Sequence, residues 1–188
     1  MSTVFTPTRM RITVDRYQKM VAAGVLTSSD RVELIEGEIL DMAPIGTHHA
    51  SVTGLLFKRL VLSLGDSATV RAGNPIDLGS FSEPQPDLLV LKPRADNYRY
   101  AHPQAEDVLL LIEVADTSLT FDQGAKRELY ARFGVSEYWV VDVSGQRICA
   151  YLAPVQGAFQ RSREYLIDET ISPQAFPDVK LAVRELFA

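Results

Sequence analysis

The sequence predicts one α/β (α+β) domain: a mixed β-sheet flanked by helices, with an added N-terminal helix and β-hairpin. Three observations predict it. The core elements run helix, strand, strand, strand, helix, strand, an order that packs helices on a sheet. The run Val108–Ala115 is apolar at seven of eight positions, as expected of a strand covered on both faces. At 188 residues, 46% hydrophobic and 23% charged, the chain can bury one sizeable core.

The elements follow in order. Thr13 can cap a helix from Val14 to about Ala23, which Gly24 ends. Val32–Ile35 and Glu38–Met42 flank Glu36–Gly37, a hairpin with its glycine in the turn. Pro44 and Gly46 break the chain. Between His48 and Leu64, the side chains of Val52, Leu55, Leu56 and Leu60 share one helical face, and Gly65 stops the helix. Strands over Thr69–Gly79 and Asp87–Lys92 come next, then a polar, Tyr-bearing loop over Pro93–Glu106. Beyond the central strand, Thr120–Gln123 fits a capping box and opens a helix to Phe133, with Gly134 just past its end. Strands over Glu137–Val143 and Gln146–Leu152 flank Ser144–Gly145. A last strand near Phe159–Ile167 and a short helix near Val183–Phe187 complete the pattern.

Composition narrows the function. A net charge of −5, from 19 basic and 24 acidic residues, argues against coating nucleic acid through bulk charge and leaves room for a local basic face. One cysteine, Cys149, excludes an intrachain disulfide and a cysteine-based zinc cluster, and reads as a small buried hydrophobe. No apolar stretch reaches membrane length, so no membrane partner is expected. The N-terminal residues lack a secretory pattern, which makes the cytoplasm the expected location. Phosphate-loop, dinucleotide-binding, zinc-protease and serine-hydrolase motifs are absent, and no organic cofactor is expected.

One residue breaks the apolar logic. Glu113 sits inside the central strand on the face of Leu109, Leu111 and Ala115. A buried carboxylate must take up a proton, a cationic partner or a metal ion. A structural, arginine-paired acid is the plain reading, and a functional acid is the sharper one. Asp87 places a second carboxylate at the mouth of another apolar strand, behind Pro86. Magnesium binds through one or two carboxylates and completes its shell with water and substrate phosphate. Asp87 and Glu113 could supply that set, with manganese as a substitute ion. Lys126 lies one turn after Asp122 and one turn before Tyr130, so the three share a helix face. A lysine there could stabilise charge on a phosphoryl group, although alone it reads as a surface lysine, and Asp122 as a helix cap. His48 and His49 begin the long helix, where one could assist the site or simply hydrogen-bond locally.

These residues carry a resemblance. The segments Arg31–Ile39, Met42–Gly46 with His49, Glu83–Leu88, Ile112–Leu119, Asp122 with Lys126 and Tyr130, and Glu137–Trp139 resemble the Uma-two family of restriction-endonuclease-like proteins. The match runs from about residue 12 to the C-terminus, in order. The resemblance implies the restriction-endonuclease-like core of the PD-(D/E)xK nuclease superfamily, as a single domain over residues 1–188. It implies a magnesium-dependent endonuclease acting on DNA, with Asp87 and Glu113 as metal ligands and Asp87, Glu113, Lys126 and His49 as catalytic residues. The superfamily's lysine normally stands two residues after the strand glutamate, where this chain has Ala115. The resemblance moves that role to Lys126. Glu33 and Glu36 match the family's opening motif, and a hairpin role suffices for them. The alternative class is a catalytically silent nucleic-acid or protein-interaction module on the same fold, and a third is a hydrolase of small phosphate compounds. A homodimer is expected, through the hairpin Glu33–Met42 or the strands after Trp139. The loop residues Lys92, Arg94 and Arg99, with Tyr98 and Tyr100 interleaved, are expected to grip DNA phosphates.

Overall fold

The structure, a computed structural model, describes residues 8–27 and 29–187. They fall into two compact units, Met1–Met42 with Leu78–Pro84, and Ala43–Asp77 with Gln85–Ala188.

The smaller unit holds α1 (Val14–Ala22), β1 (Val32–Ile35) and β2 (Glu38–Asp41). Thr13 caps α1 by accepting from the Arg16 amide at 3.3 Å. β1 and β2 pair through Glu36 and Gly37, both at positive φ (52° and 84°), the two-residue turn whose twist matches the strands it joins. Leu34 also bridges to Glu83, and Glu33 and Glu83 are both buried here beside Tyr17. Burial first, and those two carboxylates next, raise the Tyr17 phenol above its usual value.

The larger unit is built on a six-stranded sheet: β3 (Thr69–Ala72), β4 (Leu88–Leu91), β5 (Val108–Ala115), β6 (Glu137–Asp142), β7 (Arg147–Val155) and β8 (Ala158–Tyr165), in that spatial order. Neighbours are antiparallel except β5 and β6, which makes the sheet mixed. A parallel pair needs a crossover, and the helical segment after β5 supplies it. On one face lies α2 (Thr47–Leu64), whose Val52, Leu56, Leu60 and Leu64 recur every four residues and pack with Leu88, Val90, Ile112, Val114 and Trp139. Leu55, expected on this stripe, is only half-buried, and Leu64 takes its place. Each fully buried leucine of this layer contributes roughly 2 kcal/mol through removal of its side chain from water.

The structure corrects three expected boundaries. β3 ends at Ala72, because Gly73 turns the chain at φ +58° and the three prolines at 75, 84 and 86 keep the connection to β4 irregular. The capping box at Thr120 is not formed: Ser118 precedes the helical segment, and Thr120 lies inside it. A two-stranded pair, β9 (Thr170–Ile171) with β10 (Leu181–Ala182), covers the C-terminal end, followed by a 3₁₀ turn rather than a helix. Among the described residues no helix is long and apolar enough to cross a membrane.

Glu137 makes a local pH prediction. Its buried carboxylate accepts from the Trp139 indole at 2.8 Å and from the Gln174 amide at 2.6 Å, tying the C-terminal segment to β6. Burial still dominates over these donors and raises its pKa above the usual 4.5. A raised carboxyl pKa means the native state holds its proton longer than the unfolded chain. The resulting stabilisation is complete below about pH 4.5 and fades as pH rises through the folded value. Urea unfolding from pH 4 upward is expected to show this decline in the wild type and its loss in Glu137→Gln. Equal pH profiles for the two proteins would refute the linkage.

Candidate active site

The site lies within the larger unit, where β4 and β5 meet. Leu88 stands opposite Ile112 in this antiparallel pair. One step along that register sets Asp87 opposite Glu113, so both side chains leave the same face. The backbone locks them together. The Asp87 amide donates to Glu113 Oε2 at 3.3 Å, and the Val114 amide donates to Asp87 Oδ2 at 2.8 Å. Asp87 owes its place to Pro86 before it and to its carbonyl, which accepts from the Gly73 amide at 2.9 Å.

His49, on the first turn of α2, places Nε2 3.0 Å from Asp87 Oδ1. The cluster is graded in depth. The side chains of His49 and Asp87 remain 15% and 22% exposed, while those of Lys126 and Glu113 retain 6% and 5%. The acid pair therefore has one solvent-facing end and one interior end.

The interior end is closed by the crossover segment. α3 (Leu119–Phe121) continues into a π-turn over Asp122–Lys126 and then α4 (Arg127–Arg132). In the π-turn the Arg127 amide reaches the Asp122 carbonyl five residues back. Such wide turns are rare and concentrate at functional sites. The Tyr138 hydroxyl from β6 donates to the same carbonyl at 3.0 Å. Burial, then the Glu113 charge, hold the Tyr138 phenol well above its usual value, so it serves as a neutral donor. Lys126 leaves the turn pointing inward, and its Nζ donates to Glu113 Oε1 at 3.0 Å. The Tyr130 hydroxyl donates to the same oxygen at 2.7 Å.

All four residues singled out from the sequence, Asp87, Glu113, Lys126 and His49, thus join one hydrogen-bonded cluster. Glu113 is partnered by a lysine rather than the arginine of the plain reading. Lys126 is buried, which corrects the reading of it as a surface lysine. Asp122 is no helix cap: it is buried in the π-turn and accepts from the Ser118 hydroxyl. His48 turns away to a separate cleft of about 460 Å³ that Asp116 and Ser144 also line. Cys149 is half-buried and accepts from the Gln123 amide group at 3.3 Å, and burial raises its thiol pKa. Tyr130 is the residue that sequence reasoning left without a role. Its signal was the four-residue spacing from Lys126, which puts both side chains over one strand position.

The loop after β4 is folded on itself rather than open. Arg94 pairs with Asp96 at 2.6 Å and lies 3.9 Å over the Tyr98 ring, and Tyr98 is buried with its hydroxyl on the Lys92 carbonyl at 2.7 Å. Arg94 and Tyr98 are therefore engaged within the loop, which corrects the expectation that they face a phosphate backbone.

Among the described residues, no three His, Cys, Asp or Glu side chains are arranged as a metal-ligand set. Asp87 and Glu113, paired across β4 and β5, are the two carboxylates that a hard ion completing its shell with water and phosphate could share.

A crystal structure described as a putative nuclease from Anabaena variabilis superposes with a TM-score of 0.75 at 19% identity, covering 94% of this chain and 97% of that one. At that identity the likeness establishes the fold, which is restriction-endonuclease-like. Among functionally curated proteins, none matches the chain. A family model described as "putative restriction endonuclease" matches residues 14–184, nearly the whole length, and the chain belongs to that family, Uma2.

Proposed function

We propose that this protein is a magnesium-dependent endonuclease that hydrolyses phosphodiester bonds in DNA. One observation carries the reading: two carboxylates interlocked across neighbouring strands, with a buried lysine on the inner one. Family membership supports the nuclease class, and the site supports the choice of chemistry.

Asp87 and Glu113 would hold the ion, which when bound counters charge on the phosphate and makes water acidic enough to ionise near neutral pH. The residues themselves do the rest. The Val114 amide and His49 fix the two oxygens of Asp87, so the carboxylate cannot rotate away. Tyr130 and Lys126 fix Oε1 of Glu113 and leave Oε2 turned toward Asp87. Lys126 brings a positive charge to the inner oxygen of Glu113, from where its field would offset negative charge growing on a phosphoryl oxygen under attack. Hydrolysis forms one P–O bond from water, breaks one ester P–O bond and returns a proton to the departing oxygen.

The test is nicking of supercoiled plasmid by purified protein. Nicked circles are expected with magnesium or manganese and none with EDTA. A folded protein that nicks with neither ion would overturn the endonuclease reading and leave the silent interaction module and the hydrolase of small phosphate compounds. We further propose a homodimer, because cutting both strands with one site per chain is most simply done by a two-fold pair. Sedimentation at micromolar concentration is expected to give twice the 20.9 kDa chain mass. A lone monomer peak would reject it.

A further inference from the structure

The side of α4 turned away from Glu113 closes a second cleft, of about 590 Å³, against the β7–β8 hairpin. Its walls include Arg127, Glu128, Arg132, Tyr151, Phe159 and Ser162. Two arginines and one glutamate are among its lining residues, so the lining carries a net positive charge in a chain whose net charge is −5.

Its floor is aromatic. Tyr151 and Phe159 lie with ring centroids 6.0 Å apart, and Tyr138 stacks beneath both at 5.8 and 6.2 Å. The Arg127 guanidinium sits 5.5 Å over the Tyr151 ring, and Phe159 remains half-exposed. The cleft is also preformed. Gln156 and Gly157, at φ +50° and +79°, make the two-residue turn that fixes the hairpin. A Cβ added to Gly157 would come within 3.8 Å of the Arg132 backbone, so turn and helix approach closely.

A guanidinium held over one ring, beside the flat, half-exposed ring of Phe159, suits a phosphate-bearing planar group. A base stacked within a duplex cannot use such a floor, whereas an unpaired base can. Position adds a further constraint. Arg127 directly follows Lys126 and points about 100° round the same helical segment from it, so one short segment serves both the cleft and the acid pair.

We propose that this cleft binds an unpaired nucleotide of the strand engaged at Asp87, Glu113 and Lys126, with Arg127 and Arg132 on its phosphate and Phe159 under its base. The proposal rests on the nucleic-acid reading of that site. It makes the protein selective for single-stranded or frayed DNA next to the cut.

The experiment is equilibrium binding of a short labelled single-stranded thymidine oligonucleotide and of a blunt duplex, in EDTA so that no cleavage intervenes. Phe159→Ala is expected to weaken single-strand binding by about 5- to 150-fold, the range for loss of one stacked base, and to leave blunt-duplex binding unchanged. Phe159→Leu retains apolar volume beneath Tyr151 but lacks a flat ring, and is expected to match Phe159→Ala, which separates stacking from misfolding. Arg127→Ala with Arg132→Ala should shrink the salt slope by about 0.7 for each phosphate no longer neutralised. Wild-type binding that none of these variants weakens would overturn the cleft and spare the nuclease reading. No oligonucleotide binding by the wild type would overturn the cleft, and plasmid nicking with magnesium decides the nuclease reading separately. Displacement of the oligonucleotide by a polyglutamate peptide at equal concentration would also overturn the proposal, assigning the cleft to an acidic protein segment.

Discussion

Asp87→Ala is expected to abolish metal-dependent strand cleavage, lowering the rate by about a thousandfold or more. Lewis-acid stabilisation is worth several kcal/mol, and about 1.4 kcal/mol is tenfold in rate. Asp87 is the more exposed of the two carboxylates, so it is the acid an incoming ion meets first. Alanine also strips the acceptor from the Val114 amide and the partner from His49. Asp87→Asn separates the two effects. Its side-chain oxygen can still accept from Val114, while its charge is gone. Magnesium affinity by calorimetry should fall in both variants, and the thermal midpoint should fall further in the alanine variant. Cleavage within tenfold of wild type in either would remove Asp87 from the metal site.

Much of the fold was legible because its signals are local. Thr13 and Gly24 bracket α1, Glu36–Gly37 makes its turn, and the apolar stripe of α2 ends at Gly65, each from residues adjacent in sequence. What escaped were features set by distant parts of the chain. The π-turn at Asp122–Lys126 has no composition of its own and is held by Tyr138, on a strand that follows the helix. β9 and β10 are two residues each, too short for a period of two to show.

The site was legible for a different reason. A glutamate inside an apolar strand is costly enough to demand a partner, so Glu113 announced itself. The partner was harder to find. Lys126 and Tyr130 are ordinary helix residues until the crossover lays them over Glu113, and only their four-residue spacing hints that they act together. The loop residues Arg94 and Tyr98 misled because sequence shows charge and aromaticity but not whether they satisfy each other. Asp96 takes the guanidinium, and the ring lies beneath it.

Lys126→Met is expected to lower cleavage by about a hundred- to a thousandfold while magnesium affinity holds or rises. The rate loss follows from removing one charged donor beside a developing phosphoryl anion. The affinity result follows from the geometry. In the wild type the ammonium bonds Glu113 Oε1 and competes for its charge, so its removal leaves the carboxylate a stronger ligand. Methionine keeps most of the buried stem and deletes the ammonium, with its charge and its hydrogen bond to Oε1. Stability should fall by about 3–5 kcal/mol, because a buried acid loses its cation. That loss should be smaller with magnesium present, since the ion takes over the neutralising role. The Tyr130 hydroxyl still holds Oε1 and limits the rearrangement. Two measurements on folded Lys126→Met decide the matter: calorimetry with magnesium and the rate of plasmid nicking at saturating ion. Lost ion binding would make Lys126 a support for Glu113 alone, with no part in meeting the phosphate. Retained binding with cleavage near the wild-type rate would return the missing lysine of this strand to an unidentified group.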